Sequence, residues 1–212
     1  MTSIDGRFPP IYTDRLMIRL FDPSRAADYE AVLYLYNCEY TRSSVGDIGL
    51  HTKEQIDSRC HREAPRPADQ SRPSPDYPWH LVYLRSDLSS DPIGIISLFT
   101  HIAFKLPAMG WAVREELTGH GYASEAGTAV LKWWVEDIGV ENIYAGTFPH
   151  HRASQRVAEK IGFVNGGKLL VKFLNSEVKE GIYFVLPGAD TRMEGLTLDF
   201  TKIPSVDNDQ TP

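Results

Sequence analysis

Three strand-like segments that follow one another through short connections constrain the fold of this chain more than any other feature. WHLVYLR begins at Trp79, PIGIISLFTHI at Pro92 and AMGWAVRE at Ala108. The turn-rich stretch SDLSSD and the tripeptide KLP separate them, and both are too short for the crossover that parallel neighbours need. We therefore predict an antiparallel meander in the middle of the chain.

Strand and helix patterns also precede the meander. In TDRLMIRLFD, alternating Leu16, Ile18 and Leu20 indicate a half-buried strand. Two helices are expected next. The first is RAADYEAVLYLYN, with Ser24 as its N-cap, and the second is TKEQIDSRCHRE, in which Thr52 and Gln55 form a capping-box signature.

The segments after the meander continue this alternation. YASEAGTAVLKWWVEDIG has the best-defined helical face in the chain and is expected to end at Gly139. NIYAGTF indicates a buried strand, HRASQRVAEKIGF a helix that ends at Gly162, and KLLVKFLNSEVKEGIYFVL a hairpin that turns near Asn175 and Ser176. LTLDF in the tail is a further candidate strand.

The order of these elements predicts an α+β fold with three layers. Its mixed, mostly antiparallel central sheet should have about seven strands, flanked by about four helices. With 212 residues and a hydrophobic content of 42%, the whole chain, 1–212, is expected to form one domain with its core over about residues 12–187. The proline-rich segment 64–78 is expected to be an extended loop, either the rim of a site or a surface insertion, and 188–212 a tail.

Charge and cysteine content limit the expected partners. The net charge is −6, and Lys and Arg form no basic stripe, so no nucleic-acid partner is expected. The negative net charge is compatible with a small substrate that carries an amine. No apolar run reaches the roughly 18 residues of a membrane span, and the N-terminus lacks the features of a signal peptide. We expect a cytoplasmic protein without a membrane partner, in which Cys38 and Cys60 are free thiols.

The loop Gly119-His120-Gly121 lies between the last meander strand and the best-defined helix. At such a junction the first helical N–H groups have no partner and the helix dipole is positive, so that a phosphate can bind. Strand-to-helix turns also use glycine for structural reasons alone. A dinucleotide-binding loop does not fit, because Ser124 replaces its third glycine, and the Gly-Lys-Ser/Thr of a P-loop is absent.

Four pieces of the sequence together resemble the Gcn5-related N-acetyltransferase (GNAT) family, in particular its branch of ribosomal-protein N-terminal acetyltransferases. TDRLMIRL, MGWAVREELTGHGYASEA, HHRASQRVAEKIGF and FLNSEVKEGIYFVL occur in the order of the family. The GNAT-like fold that this implies agrees with the order of elements above. The resemblance also implies acetyl-CoA as co-substrate, no metal, and direct acetyl transfer to a primary amine of a peptide, a protein N-terminus or a small molecule.

By this resemblance, the phosphate loop of the family falls on the stretch from Glu116 to Gly121. Backbone amides are then expected to bind the pyrophosphate of acetyl-CoA from Gly119, His120, Gly121, Tyr122 and Ala123. Glu116 departs from the Gln or Arg of the family and should weaken phosphate attraction modestly. The strand formed by Trp111, Ala112 and Val113 is expected to pair with the pantetheine arm and to supply an oxyanion donor.

The second helix of the motif begins Asn-x-x-Ser in the family, and this chain has His151 and Ser154 there. The resemblance implies that His151 contacts the cofactor arm and that Ser154 lies near its sulfur. Because Ala158 stands where many relatives carry Tyr, Ser154 is the candidate general acid for the leaving thiolate. A helix-cap role for Ser154 is the alternative.

The general base is not apparent, since Ala108 and Phe173 stand where relatives often carry Glu. The remaining candidates include His101, His80, Glu39 and Asp47, and the alternative for each is a solvated or core role without catalysis. At pH 7 an α-amine is neutral far more often than a lysine amine, so it needs less help from a base. We therefore hypothesise an acceptor of low pKa, such as a peptide N-terminus or an amino sugar.

Two functions of other classes stay open. An acyl-CoA-binding protein that has lost catalysis would explain why no base stands at the two usual positions. A structural α+β module would bind no CoA. The sequence does not name the acceptor or the oligomeric state, a homodimer included. Aromatic residues that can line an acceptor pocket or belong to the core are Tyr36, Tyr40, Trp79 and Trp111.

Overall fold

The computed structural model of the chain describes residues 8–101, 105–189 and 193–202. In this part, nine strands form one sheet and five α-helices are present. The strands are β1 Ile11–Tyr12, β2 Leu16–Leu20, β3 Trp79–Leu84, β4 Gly94–His101, β5 Leu106–Val113, β6 Tyr144–Thr147, β7 Val164–Lys172, β8 Val178–Val185 and β9 Thr197–Asp199. The helices are α1 Ala26–Asn37, α2 Glu39–Val45, α3 Lys53–Glu63, α4 Tyr122–Lys132 and α5 Arg152–Ile161.

The strands lie in the order β1-β2-β3-β4-β5-β6-β8-β7-β9. Neighbours are antiparallel except in the pairs β5–β6 and β7–β9. The predicted meander of β3, β4 and β5 is confirmed, and so is the β7–β8 hairpin, in which Ser176 has a φ of 65°. The predicted class is therefore confirmed, with nine strands where about seven were expected.

Three short elements differ from the expectation. Strand β1 has only two residues, too few to show an alternating pattern. Helix α2 is a third helix before the meander, and its sequence EYTRSSV has no apolar stripe that could predict it. The segment Trp133–Ile138 continues α4 as a π-helix, which ends as predicted at Gly139 in the left-handed conformation, with a φ of 86°.

The two predicted helix caps have different outcomes. The capping box is confirmed, since the Thr52 side chain accepts from the Gln55 N–H and the Gln55 side chain accepts from the Thr52 N–H. The prediction for Ser24 is wrong, because Arg25 is the N-cap of α1. The Ser24 N–H and hydroxyl both donate to the Asp22 carboxylate instead, at 2.8 and 2.6 Å.

The central strands are buried on both faces. In β4, Ile96 packs in one cluster with Val130 of α4, whereas its neighbour Ile95 packs in another with Val32 of α1 and Ile56 of α3. Successive strand residues point to opposite faces, so both layers of helices are supported by the same strand. Helices α4 and α5 therefore lie on one face of the sheet, and α1 and α3 on the other.

Residues 64–78 contain no helix or strand, as predicted. This loop packs at the far end of the π-helical segment, where Arg72 donates to the carbonyl groups of Glu136 and Asp137, and the Ala68 N–H donates to that of Gly139. The glycine loop lies at the opposite end of α4. The contacts therefore favour a surface insertion over the rim of a site.

Both cysteines are free thiols, as expected. Cys38 is partly buried at the junction of α1 and α2, and Cys60 is buried in α3. Burial raises the pKa of the Cys60 thiol, so that this side chain stays protonated and unreactive at neutral pH.

Candidate active site

A gap opens in the sheet where β5 and β6 separate. These parallel strands pair only at Ala108 with Tyr144 and at Met109 with Ala145. Beyond Met109, β5 continues to Val113 and pairs with β4 alone. The edge of β5 that faces β6 can therefore pair with an extended ligand, as an additional strand would.

The glycine loop brings the N-terminus of α4 to this gap. Gly119 and Gly121 have φ angles of 80° and 82°, in the left-handed region that glycine adopts without strain. Helix α4 begins at Tyr122, and in the described part of the chain no side chain caps it. The first N–H groups of the helix are thus available to an anion, and the helix dipole favours negative charge there.

A cleft of about 250 Å³ joins the open edge of β5 to the glycine loop. We call it the donor cleft, because it is the candidate site for the acyl donor that the sequence predicts. Its walls come from α2, β5, the loop with the first turn of α4, and α5. The lining residues are Tyr40, Thr41, Ser44 and Val45; Trp111, Ala112 and Val113; Leu117, Thr118, Gly119, Gly121, Tyr122, Ala123 and Ser124; and His151, Ala153, Ser154, Arg156, Val157 and Lys160. All the residues that the sequence predicts for the donor site are among them, except His120.

His120 is turned towards its own loop. Its ring Nδ1 lies 3.0 Å from the carbonyl oxygen of Thr118, and its ring stacks on that of Tyr122 with the centroids 5.8 Å apart. Its carbonyl oxygen accepts a hydrogen bond of 3.0 Å from Arg15. The His120 side chain is exposed and does not line the donor cleft.

Helix α5 positions His151 and Ser154 at the cleft. His151 is the N-cap of this helix, and Ser154 is its third residue and is buried, so the helix-cap interpretation of Ser154 is wrong. Gln155 donates to the carbonyl groups of Phe148 and Pro149, which holds the turn before the helix.

The protonation state of His151 follows from its surroundings. Burial, helped by the nearby His150, lowers the pKa of His151. An imidazole with a lowered pKa is mainly neutral at pH 7. His151 therefore offers a hydrogen bond to a ligand in the cleft and no fixed positive charge.

Sequence reasoning misses two groups of lining residues. One is Thr41, Ser44 and Val45 of α2, whose sequence did not predict a helix, whereas Tyr40 of the same helix was considered for an acceptor pocket. The other is Arg156 and Lys160, which are exposed on α5 and line the cleft; their spacing of four residues places them on one helical face and could have indicated them. Their charges suit a phosphorylated ligand, while Glu116 is exposed and does not line the cleft.

The two histidines considered as bases do not line the cleft. His80 lies in the core, where its ring contacts Trp133 and Trp134, and burial lowers its pKa to about 3. At the end of β4, burial, with a smaller effect of Arg59, lowers the pKa of His101 to about 4. Both rings are neutral at pH 7, and neither position supports a role as base for an amine in this cleft.

A second cleft, of about 380 Å³, adjoins the donor cleft and shares Ser44 and Val45 with it. Its lining residues are Arg42, Ser43, Ser44, Val45, Gly46, Asp47, Phe148, His150, Phe173, Leu174, Asn175, Glu177 and Lys179. The Asp47 carboxylate lies 3.1 Å from Arg42 and 3.0 Å from His51. Of the two acidic candidate bases, Asp47 is therefore at a cleft, and exposed Glu39 lines neither.

The predicted aromatic residues divide between cleft and core. Tyr40 and Trp111 line the donor cleft. Trp79 is fully buried, and its indole N–H donates to the hydroxyl of Tyr36 at 3.3 Å. An aromatic pocket made of all four residues is therefore not formed.

A family model described as an acetyltransferase (GNAT) domain matches residues 15–164. The chain belongs to the GNAT acetyltransferase family. The match covers more than two thirds of the chain and includes β5, the glycine loop and α5. A relative from Bacillus subtilis (strain 168), described as the uncharacterized N-acetyltransferase YnaD, is 27% identical over 157 residues, which are 74% of this chain and 84% of the relative.

Solved structures of acetyltransferases share the fold of this GNAT protein. The ribosomal-protein-S5-alanine acetyltransferase from Vibrio fischeri matches with a TM-score of 0.60 and 18% identity over 85% of this chain and 97% of its own. AAC(6')-Ib in complex with paromomycin and acetyl-CoA matches with a TM-score of 0.58 and 15% identity over 84% of this chain and 100% of its own. Similarity at this level of identity establishes the fold and leaves the substrate open.

Within the described ranges, 8–101, 105–189 and 193–202, neither a metal-binding cluster nor a membrane-spanning helix is present. The His, Cys, Asp and Glu side chains of these ranges form no group of three or more that could hold a metal ion. The same ranges contain no helix with the length and apolar character needed to cross a membrane.

Proposed function

We propose that this GNAT protein is an acetyl-CoA-dependent N-acetyltransferase that transfers the acetyl group directly to a primary amine. The observation that carries the proposal is the meeting of two backbone features in one cleft, the open edge of β5 and the uncapped N-terminus of α4. The first suits an extended thioester arm and the second suits a pyrophosphate. Arg156 and Lys160 add positive charge at the same cleft.

The reaction requires an oxyanion donor and a proton for the leaving group. The neutral amine nitrogen attacks the thioester carbonyl and forms a C–N bond; the C–S bond then breaks, the nitrogen loses a proton and the sulfur gains one. We assign the oxyanion contact to backbone amides of Trp111 to Val113 and the proton donation to the Ser154 hydroxyl, which lines the same cleft. Neutral His151 orients the thioester arm by hydrogen bonding.

The acceptor amine is assigned to the second cleft. This cleft adjoins the donor cleft at Ser44 and Val45, so an amine held in it can approach the thioester. Its carboxylates, on Asp47 and Glu177, suit an ammonium group that arrives protonated. Both carboxylates are paired with cations, Asp47 with Arg42 and Glu177 with Lys179. The second cleft can therefore bind positively charged and negatively charged groups of an acceptor.

An acceptor amine of low pKa fits the side chains at this site. Ala108 and Phe173 provide no base, and Phe173 instead stacks on Phe148 with the centroids 5.7 Å apart. A lysine amine is about 0.04% neutral at pH 7 and an α-amine about 10%, a difference of about 3.4 kcal/mol. This is as large as the usual contribution of a general base, about 10²- to 10⁴-fold in rate. We infer that a peptide N-terminus or an amino sugar is the acceptor.

The proposal is tested by measuring CoA release from acetyl-CoA with a panel of amines. The panel contains peptides with a free α-amine, the same peptides with a blocked N-terminus and an internal lysine, amino sugars and spermidine. Turnover is expected with α-amines or amino sugars and should increase with pH until the amine is neutral. Turnover with spermidine or internal lysine alone would contradict the low-pKa acceptor.

A catalytically impaired acyl-CoA-binding protein is the second candidate, and the side chains of Ala108 and Phe173 favour it. This candidate predicts that CoA binds and that no amine in the panel is acetylated. Calorimetric titration with CoA, performed beside the turnover assay, separates the two functions. A chain that binds no CoA would contradict both.

A further inference from the structure

Arg15, which precedes β2, contacts the glycine loop from outside the donor cleft, on what we call the outer side of the loop. Its Nη1 donates to the carbonyl oxygen of His120 at 3.0 Å, and its Nε donates to Glu125 Oε2 at 2.7 Å. Its guanidinium also lies over the ring of Tyr122, 4.6 Å from the centroid. One side chain therefore connects the loop, the first turn of α4 and the segment before β2.

The hydrogen bond to His120 determines how the next peptide group points. In a trans peptide the C=O of one residue and the N–H of the next point in opposite directions. Arg15 holds the His120 carbonyl on the outer side, and Arg15 itself does not line the donor cleft, whereas Gly121 does. The Gly121 N–H is thereby directed away from Arg15, and Gly121 itself lines the cleft.

The contact with Glu125 affects the charge at the same place. Glu125 lies in the first turn of α4, where a free carboxylate would repel a phosphate. Arg15 Nη2 lies 2.6 Å from its Oε2, and Thr13 donates to its Oε1 at 2.5 Å. Burial opposes ionisation of Glu125, but the hydrogen bonds from Thr13 and Arg15 lower its pKa, so the carboxylate is ionised and the Arg15 guanidinium offsets its charge.

We propose that Arg15 is a positioning residue for the pyrophosphate of the donor, because it orients the glycine loop from behind and neutralises Glu125. The inference rests on the proposed function of the donor cleft. It is specific to the phosphate part of the donor, since every Arg15 contact described above is to the glycine loop or to the first turn of α4, which includes Tyr122. The thioester end, along β5, should not depend on Arg15.

The test compares donors with and without the pyrophosphate. Binding of CoA and of pantetheine, and KM for acetyl-CoA and for S-acetyl-pantetheine, are measured for the wild type, Arg15→Gln and Arg15→Lys. Loss of the charge-assisted hydrogen bonds in Arg15→Gln should weaken CoA binding and raise KM for acetyl-CoA roughly tenfold, with no change for the pantetheine donors. Arg15→Lys should restore only part of the loss, because an ammonium group cannot form the planar, divergent contacts of a guanidinium.

The matched control is Arg85→Gln. Arg85 is also exposed, and it donates to the carbonyl group of Thr13 on the same segment, but none of the described contacts joins it to the loop. This variant should bind CoA as the wild type does. Equal CoA binding by the wild type and Arg15→Gln, or an equal loss for CoA and pantetheine, would overturn the inference and leave the proposed function intact. A wild type that binds no CoA would overturn both.

Discussion

The guanidinium of Arg19 in β2 donates two hydrogen bonds, of 2.6 and 2.7 Å, to the carboxylate of Asp28 in α1, and both side chains are buried. Arg19 also donates to the hydroxyl of Tyr83, and the Asp22 N–H donates to Asp28. Burial disfavours the charge, but Asp28 and Tyr83 raise the pKa of Arg19, so its guanidinium stays charged against the Asp28 carboxylate. It fastens α1 to the sheet, and α2, which follows α1 directly, forms one wall of the donor cleft.

Asp28→Ala should destabilise the protein by about 3–5 kcal/mol, because it leaves the Arg19 charge buried without a partner. The double variant Arg19→Met/Asp28→Leu should lose less, since it removes both charges and keeps most of the volume. Urea denaturation of both variants and the wild type measures the free energies of unfolding. A double variant less stable than Asp28→Ala would contradict this explanation.

Gly119→Ala should weaken acetyl-CoA binding. Gly119 has a φ of 80°, and a Cβ there would meet no atom within 4 Å, so the substitution adds strain of about 1–2 kcal/mol without a clash. If the backbone relieves this strain, the amides of the loop lose their arrangement, and KM for acetyl-CoA should rise several-fold. Steady-state kinetics at saturating acceptor give this value.

Gly188→Ala is the matched control for Gly119→Ala. Gly188 has a φ of 82°, a Cβ there also meets no atom within 4 Å, and the residue does not line either cleft. Both variants should show a similar decrease in melting temperature, whereas only Gly119→Ala should change KM. An equal change in KM for both would show that the effect is general destabilisation.

Ser154→Ala should reduce kcat about 10²-fold or more and leave the affinity for CoA unchanged, because the hydroxyl acts on the leaving thiolate. The defect should become smaller with a thioester whose thiol is more acidic, since that thiolate leaves without a proton. Turnover with the two thioesters and titration with CoA are the measurements. An unchanged kcat would remove Ser154 from the mechanism.

His80 should make the stability depend on pH. Its pKa is about 3 in the folded protein, because of burial, and about 6.5 in an unfolded chain. Between these values the unfolded chain binds one more proton, so stability falls as the pH falls, by about 1.4 kcal/mol per pH unit. His80→Leu should remove this part of the slope. Urea denaturation at about pH 4.5 and about pH 6.5 measures the slope.

Leu81→Ala is the control for the His80 prediction. Leu81 is the next residue of β3 and is fully buried, but it does not titrate. Its substitution should lower the stability by the same amount at both pH values. A slope that stays the same in His80→Leu would show that other groups cause the pH dependence.

Gly127→Ala should destabilise the contact between α4 and α5. A Cβ at Gly127 would overlap the side chain of Ile161, which is buried. Overpacking of this kind costs about 1–3 kcal/mol, more than the gain of up to about 1 kcal/mol from the higher helix propensity of Ala. Ile161→Val removes the methyl group that overlaps, so the double variant should be more stable than the sum of the single effects predicts. Strictly additive free energies of unfolding would contradict the overlap.

Local signals in the sequence predicted most elements of the fold. The meander, the capping box at Thr52, the stop at Gly139 and the hairpin near Ser176 all depend on residues close together in the chain, where periodicity and turn chemistry are informative. Helix α2 could not be predicted in this way, because it has no apolar face. It follows α1 directly, and the ring of the hairpin residue Phe173 packs against Gly46, the C-cap of α2, so closely that a Cβ there would overlap it.

The sequence by itself determined the family, the α+β class and the segments that carry the donor-site residues, from Trp111 to Ser154. Only the tertiary structure decided which other groups meet there: α2 and the cations of α5 at the cleft, Arg15 behind the glycine loop, and His80 in the core instead of at the site. The physical reason is distance along the chain. Arg15 and His120 are 105 residues apart, and a contact of this kind forms only when the sheet and its helices have packed.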